Sequence, residues 1–125
     1  MTKVVRIFIL FECIAFTIAA LTHFGVWIHG YEHQKAGTAE SVIAFVLLIG
    51  IILTLIRPKS TRWIGLAVQS FALLGTLVGI FTIIIGIGPR TGPDITYHIV
   101  IVGVLLWGLF TTWRARQLTS GRGSE

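Results

Sequence analysis

The sequence predicts an all-α integral membrane protein, an antiparallel four-helix bundle with both termini cytoplasmic. Three observations carry this. Hydrophobic residues make up 54% of the 125 positions and charged residues 12%, about half the charge of an ordinary soluble domain; the mean hydropathy is +0.88. The apolar residues gather into four stretches, about 4–28, 40–56, 63–85 and 95–113, each near the roughly 20 residues a helix needs to cross a hydrocarbon core. The basic residues fall on alternate connections. Together these exclude a disordered segment, a disulfide scaffold and an ordinary soluble enzyme. They also exclude a β-barrel, whose strands run about 10 residues with alternating polarity.

The first stretch starts after Lys3 and Arg6 and contains Ile18-Ala19-Ala20, which resembles a secretory leader. Glu12 interrupts its apolar region and the stretch is long, so a retained helix is expected. Cys13 is the sole cysteine, so no internal disulfide can form and its expected role is that of a small buried hydrophobe. The second stretch is short and borrows Thr38 and Ala39; Arg57-Pro58 ends it. The third carries Gly75-x-x-x-Gly79, a spacing that lets two backbones approach, either inside this bundle or in a homodimer. Gly86-Ile87-Gly88-Pro89 ends it. The fourth follows Gly92-Pro93-Asp94, with Asp94 the expected N-cap. Residues 1–116 thus read as one four-span transmembrane domain, and 117–125 as a mobile polar tail.

Lys3, Arg6, Arg57, Lys59, Arg62, Arg114, Arg116 and Arg122 lie at the termini and in the second connection, whereas the other two connections hold only Lys35 and Arg90. The positive-inside rule places both termini in the cytoplasm. Trp27, Tyr31 and Tyr97 near the outer boundary, and Trp63 and Trp113 near the inner one, agree with aromatic belts. The net charge of +5 is therefore a topology signal. It predicts a lipid bilayer as partner and no nucleic acid. A homodimer or a larger membrane complex is compatible with the small size.

Polar residues within apolar spans are costly and mark function by default. Glu12 lies about 10 Å in from Val5, and Gln69 about 9 Å in from Trp63. Their matching depth predicts a Glu–Gln hydrogen bond; a proton-carrying carboxyl is the alternative. His23 and His98 lie about 7 Å and 5 Å from the outer boundary, and Glu40 opens the second helix. At 100° per residue, Glu12, Phe16, Ala19 and His23 form one stripe. Glu40, Ala44, Leu47 and Ile51 form another, and His98, Val102, Leu105 and Leu109 a third. Facing inward, these stripes give a His/Glu/His cluster outside, an apolar middle and a Glu/Gln pair inside.

Two imidazoles and a carboxylate suit a transition metal, and two facing histidines suit haem b, although no residue requires either. His29, Glu32 and His33 are candidate lid ligands. His29-Gly30-Tyr31-Glu32-His33 fits the H-x-x-E-H zinc-peptidase pattern, but Gly30 and the position at a span end argue against peptidase chemistry. Arg90 is expected to pair with Asp94 or Glu32, or to meet an anionic ligand.

Tyr31-Glu32-His33, Ala39-Glu40, Gln69-Ser70-Phe71-Ala72-Leu73-Leu74-Gly75, Gly88-Pro89-Arg90-Thr91 and Pro93-Asp94 with Tyr97-His98 together resemble a set of small four-span bacterial membrane proteins of uncharacterised function. The resemblance spans residues 31–98. It implies a four-helix membrane fold and a bacterial source, and carries no activity, cofactor or site residue; with the four spans, the expected location is the bacterial cytoplasmic membrane.

The expected function is that of a small binding or accessory protein with an outward-facing His/Glu cluster for a metal, haem or small polar ligand, without enzymatic chemistry of its own. The alternatives are a proton-coupled transporter using Glu12/Gln69 and Glu40/His98, and a minor subunit of a membrane redox complex.

Overall fold

The computed structural model describes residues 2–120. It is all-helical over that range, with four long helices: α1 (Thr2–His23), α2 (Gln34–Ile56), α3 (Thr61–Ile84) and α4 (Gly92–Ser120), plus a 3-10 turn at Pro58–Ser60. Each long helix has the length and composition to cross a membrane. The fourth helix continues through Ser120, past the start expected for the polar tail; the rest of that tail, with Arg122, lies outside the described residues.

The helix ends differ from the apolar boundaries for local reasons. α1 stops at His23, five residues before Ile28, because Gly25 takes a left-handed conformation, φ +70°. Val26 N–H then reaches Leu21 O at 3.0 Å and Gly25 N–H reaches Thr22 O at 3.1 Å, the paired bonds of a Schellman cap. α3 ends the same way at Gly86, φ +88°, with Ile87 N–H on Thr82 O at 2.9 Å. α2 starts at Gln34 instead of Glu40, because His33 caps it by accepting from Ala36 N–H at 3.2 Å. Its first two turns are polar and helical. Glu40 therefore sits two turns into α2 and does not open it.

The cap of α4 also corrects an expectation. Thr91 is the cap: its hydroxyl accepts from Asp94 N–H at 3.3 Å, and the Asp94 carboxylate accepts from Thr91 N–H at 3.2 Å. This is the reciprocal pattern of a capping box with Asp94 at the third helical position. Two arginines cover helix C-termini. Arg6 donates to Thr54 O at 2.6 Å at the end of α2. Arg90 donates to Ile83 O and Ile84 O at 2.9 and 3.0 Å at the end of α3. Arg90 thus meets neither Asp94 nor Glu32 among the described residues.

α1 packs chiefly on α2, and α3 on α4; α1 also touches α3 and α4. Val5, Ile9, Phe16, Leu47, Ala72, Ile101 and Leu105 form the core. The first stripe is buried throughout, and Glu40, Ala44 and Leu47 are buried with it, while Ile51 lies at the core edge. On α4 the buried line is Asp94, His98, Ile101, Leu105, Gly108 and Thr112, with Val102 and Leu109 half-buried beside it. The expected line alternates the same steps but takes four residues after His98 where the buried line takes three, which sets Val102 and Leu109 one residue to the side of the buried face. Large apolar side chains, among them Phe11, Phe45, Leu74, Phe81, Ile99 and Trp107, are exposed around the outside.

The glycine pair of α3 is used inside the bundle. A Cβ at Gly75 would stand 2.8 Å from Ile43 Cδ1, and one at Gly79 would stand 3.2 Å from His98 Nε2.

Candidate functional site

Two polar layers interrupt the core. In the layer midway along α1, Gln69 Nε2 donates to Glu12 Oε1 at 3.0 Å, as the depth arithmetic expects. Thr112 Oγ1, which the sequence did not single out, donates to Gln69 Oε1 at 2.9 Å. Glu12, Gln69 and Thr112 are fully buried, and Glu12 Oε2 has no partner. The backbone of α4 closes over them at Gly108, where a Cβ would stand 2.5 Å from Gln69 Nε2 and 2.7 Å from Glu12 Oε1.

The other layer centres on His23, the last residue of α1. Its Nδ1 meets Glu40 Oε2 at 2.6 Å and its Nε2 meets Asp94 Oδ1 at 2.8 Å. All three residues are buried. One imidazole thereby ties α1 to α2 and α4. A carboxylate only accepts, so both contacts are hydrogen bonds when the ring carries both N–H groups. Asp94 was expected in a loop as a cap; it serves the cap and His23 at once, because the first turn of α4 is itself buried. The second Asp94 oxygen takes Thr91 N–H and the Thr91 hydroxyl.

His98 is in the same layer but makes no hydrogen bond to His23 or Glu40 among the described residues. Its Nδ1–H donates to Asp94 O one turn earlier at 2.7 Å, which leaves Nε2 as the lone-pair nitrogen of the neutral ring. His98, Glu40 and Tyr97 line a cavity of about 150 Å³ among the four helices, whose walls include Phe16 of α1, Ile43 of α2 and Val78 of α3. Tyr97 also lines a second cavity of about 280 Å³, with His23, Asp94, Trp27 and Tyr31. The Tyr97 hydroxyl is buried with no partner. Sequence reasoning had assigned Tyr97 to an aromatic belt; only its neighbour His98 marked that turn as polar.

The loop residues separate from this cluster. His29 Nδ1 donates to Glu32 Oε1 at 3.0 Å, and Gly30 N–H donates to Glu32 Oε2 at 2.9 Å. Both side chains of that ion pair are substantially exposed. Backbone N–H groups of residues 32 and 30, and then His29, hold the Glu32 carboxyl below its usual range. His33 accepts at Nδ1 from Ala36 N–H and donates from Nε2 to Ile87 O at 3.0 Å. It therefore fastens the first connection to the third at the cavity mouth and offers no free nitrogen.

That geometry does not form the expected metal shell. Among the described residues, no group of three or more His, Cys, Asp or Glu side chains is placed to hold a metal ion. The physical reason lies at the centre, where both His23 nitrogens face carboxylates and leave no lone pair for a metal or haem iron. His29 and Glu32 satisfy one another away from the cluster, and His29-x-x-Glu32-His33 lies in a loop and not on one helical face.

The chain matches no protein-family model, no curated protein and no solved structure.

Proposed function

We propose that this is a four-span protein of the bacterial cytoplasmic membrane, with its helices antiparallel and both termini cytoplasmic. In this reading it binds a compact small molecule in the outward-facing cavity of Glu40, Tyr97 and His98. The apolar outer surface supports insertion, and the distribution of Lys and Arg supports the orientation. The observation that carries the binding reading is Tyr97, which lines the cavity with Glu40 and His98 and whose hydroxyl is buried without a partner. A buried hydroxyl without a partner costs about 1–3 kcal/mol, and a ligand that bonds it would recover that cost. A cavity of this size can take a benzene-sized body.

Titration calorimetry of the detergent-solubilised protein with benzyl alcohol tests the reading. Saturable heat is expected in the wild type, with affinity falling about five- to tenfold in Tyr97→Phe through loss of one hydrogen bond. Equal affinity in the two proteins would place binding elsewhere.

The second reading, a proton-coupled carrier, is favoured by Glu12, whose Oε2 is buried and unpartnered. Two polar layers with an apolar layer between them suit alternating access.

A further inference from the structure

We infer that the molecule taken by the Glu40–Tyr97–His98 cavity is a compact organic ammonium ion, with a body the size of one ring and its charged head on Glu40. The inference rests on the binding reading and adds the charge and the donor pattern.

The charge balance points this way. With His23 donating through both nitrogens, the cluster holds one imidazolium between two carboxylates and is one positive charge short. Buried carboxylates are stable only when compensated. Asp94 is compensated at three points: it receives His23, the Thr91 hydroxyl and Thr91 N–H, and it sits at the positive end of α4. Glu40 is not. Its Oε2 receives His23, but no donor among the described residues reaches Oε1. It also lies beyond the first turn of α2, where the unpaired N–H groups are. Glu40 is 5% exposed and lines the cavity.

The neighbouring groups fit the same ligand. His98 Nε2 accepts, since Nδ1–H is held by Asp94 O. The Tyr97 oxygen can accept too. With Glu40 Oε1 these make three acceptors for the three N–H donors of an alkylammonium. The rings of Phe16 and Tyr97 meet edge to face at 6.1 Å and line the same space, where aromatic faces favour a cation. The cavity's charged neighbours on the other elements are few. His33 on the first connection is neutral in its bonded form, because its Nδ1 accepts from Ala36 N–H. Lys35 at the start of α2 is exposed at the cavity rim, where water screens its repulsion. A carboxylate ligand would instead meet Glu40 directly.

The test is calorimetry on the full-length protein with benzylammonium, benzyl alcohol and benzoate in parallel. Benzylammonium is expected to bind about tenfold more tightly than benzyl alcohol, the scale of one charge-assisted hydrogen bond. That preference should fall below about twofold in Glu40→Gln, whose amide oxygen can still accept from His23. Lys35→Gln, which leaves the buried cluster untouched and removes only a water-screened charge, should leave the preference for benzylammonium within about twofold of the wild type, and a preference that vanishes in it would overturn the assignment of the charged head to Glu40. Benzyl alcohol or benzoate binding as tightly as benzylammonium, or a preference that survives in Glu40→Gln, overturns the ammonium inference and leaves the binding reading standing. No saturable heat from any of the three overturns the binding reading, and this inference with it.

Discussion

At the scale of single residues, Gly108 decides how closely α4 approaches the Glu12–Gln69 pair. Any side chain there collides with a hydrogen-bonded amide and carboxyl, whereas Gly103, five residues earlier on the same helix, has nothing within 4 Å of its missing Cβ. Gly108→Ala is expected to destabilise the protein by about 1–3 kcal/mol through overpacking. Gly103→Ala should be neutral or gain up to about 1 kcal/mol from helix propensity. Thermal unfolding of the two variants in one detergent distinguishes them, and equal melting temperatures would mean that α4 does not close over the pair. The residues legible in the sequence were those whose presence in an apolar span is itself costly: Glu12, Gln69, His23, Glu40 and His98. Thr112 and Tyr97 were not, because threonine returns its hydroxyl to its own helix cheaply and tyrosine is common at membrane boundaries. Asp94 was legible as a helix-start residue, but nothing in Gly92-Pro93-Asp94 says that this helix start is buried against His23.

At the scale of elements, four helices were legible from hydropathy, but three of their ends were not, one of them the end of α4 at Ser120. Polar residues 34–39 extend α2 because His33 supplies a cap, and Gly25 ends α1 while apolar residues continue to Ile28. Hydropathy reports where lipid-like surface stops, whereas hydrogen-bonded caps report where the helix stops. The first connection is held in part by Glu32, whose carboxylate accepts from Gly30 N–H and His29. Because these donors favour the ionised form, the folded-state affinity of Glu32 for a proton is lowered. The order it confers is present above the ordinary glutamate range and is lost as pH falls through the lowered value. Amide exchange at Gly30 is therefore expected to quicken, relative to intrinsic rates, on acidification in the wild type. In Glu32→Gln it should be relatively fast at every pH. An exchange profile at Gly30 that ignores pH in the wild type would show that Glu32 does not hold the turn.

At the scale of the whole molecule, the proposed orientation predicts which connections face the cell exterior. In a Cys13→Ala background, single cysteines at Lys35 or Thr91 should react with a membrane-impermeant maleimide added to whole bacterial cells. A cysteine at Lys59 should react only after the membrane is opened. The reverse pattern would invert the bundle and turn the cavity toward the cytoplasm. Between the two polar layers, Phe16, Leu47, Ala72, Ile101 and Leu105 are each at most 2% exposed. Hydrocarbon packed so closely leaves no room for a file of water molecules, and protons hop only along such files or along hydrogen-bonded side chains. In the placement proposed above, the Glu12 layer and the His23 layer would then be insulated from one another, each open to protons only from its own side of the membrane, and the resting bundle would not leak a proton gradient.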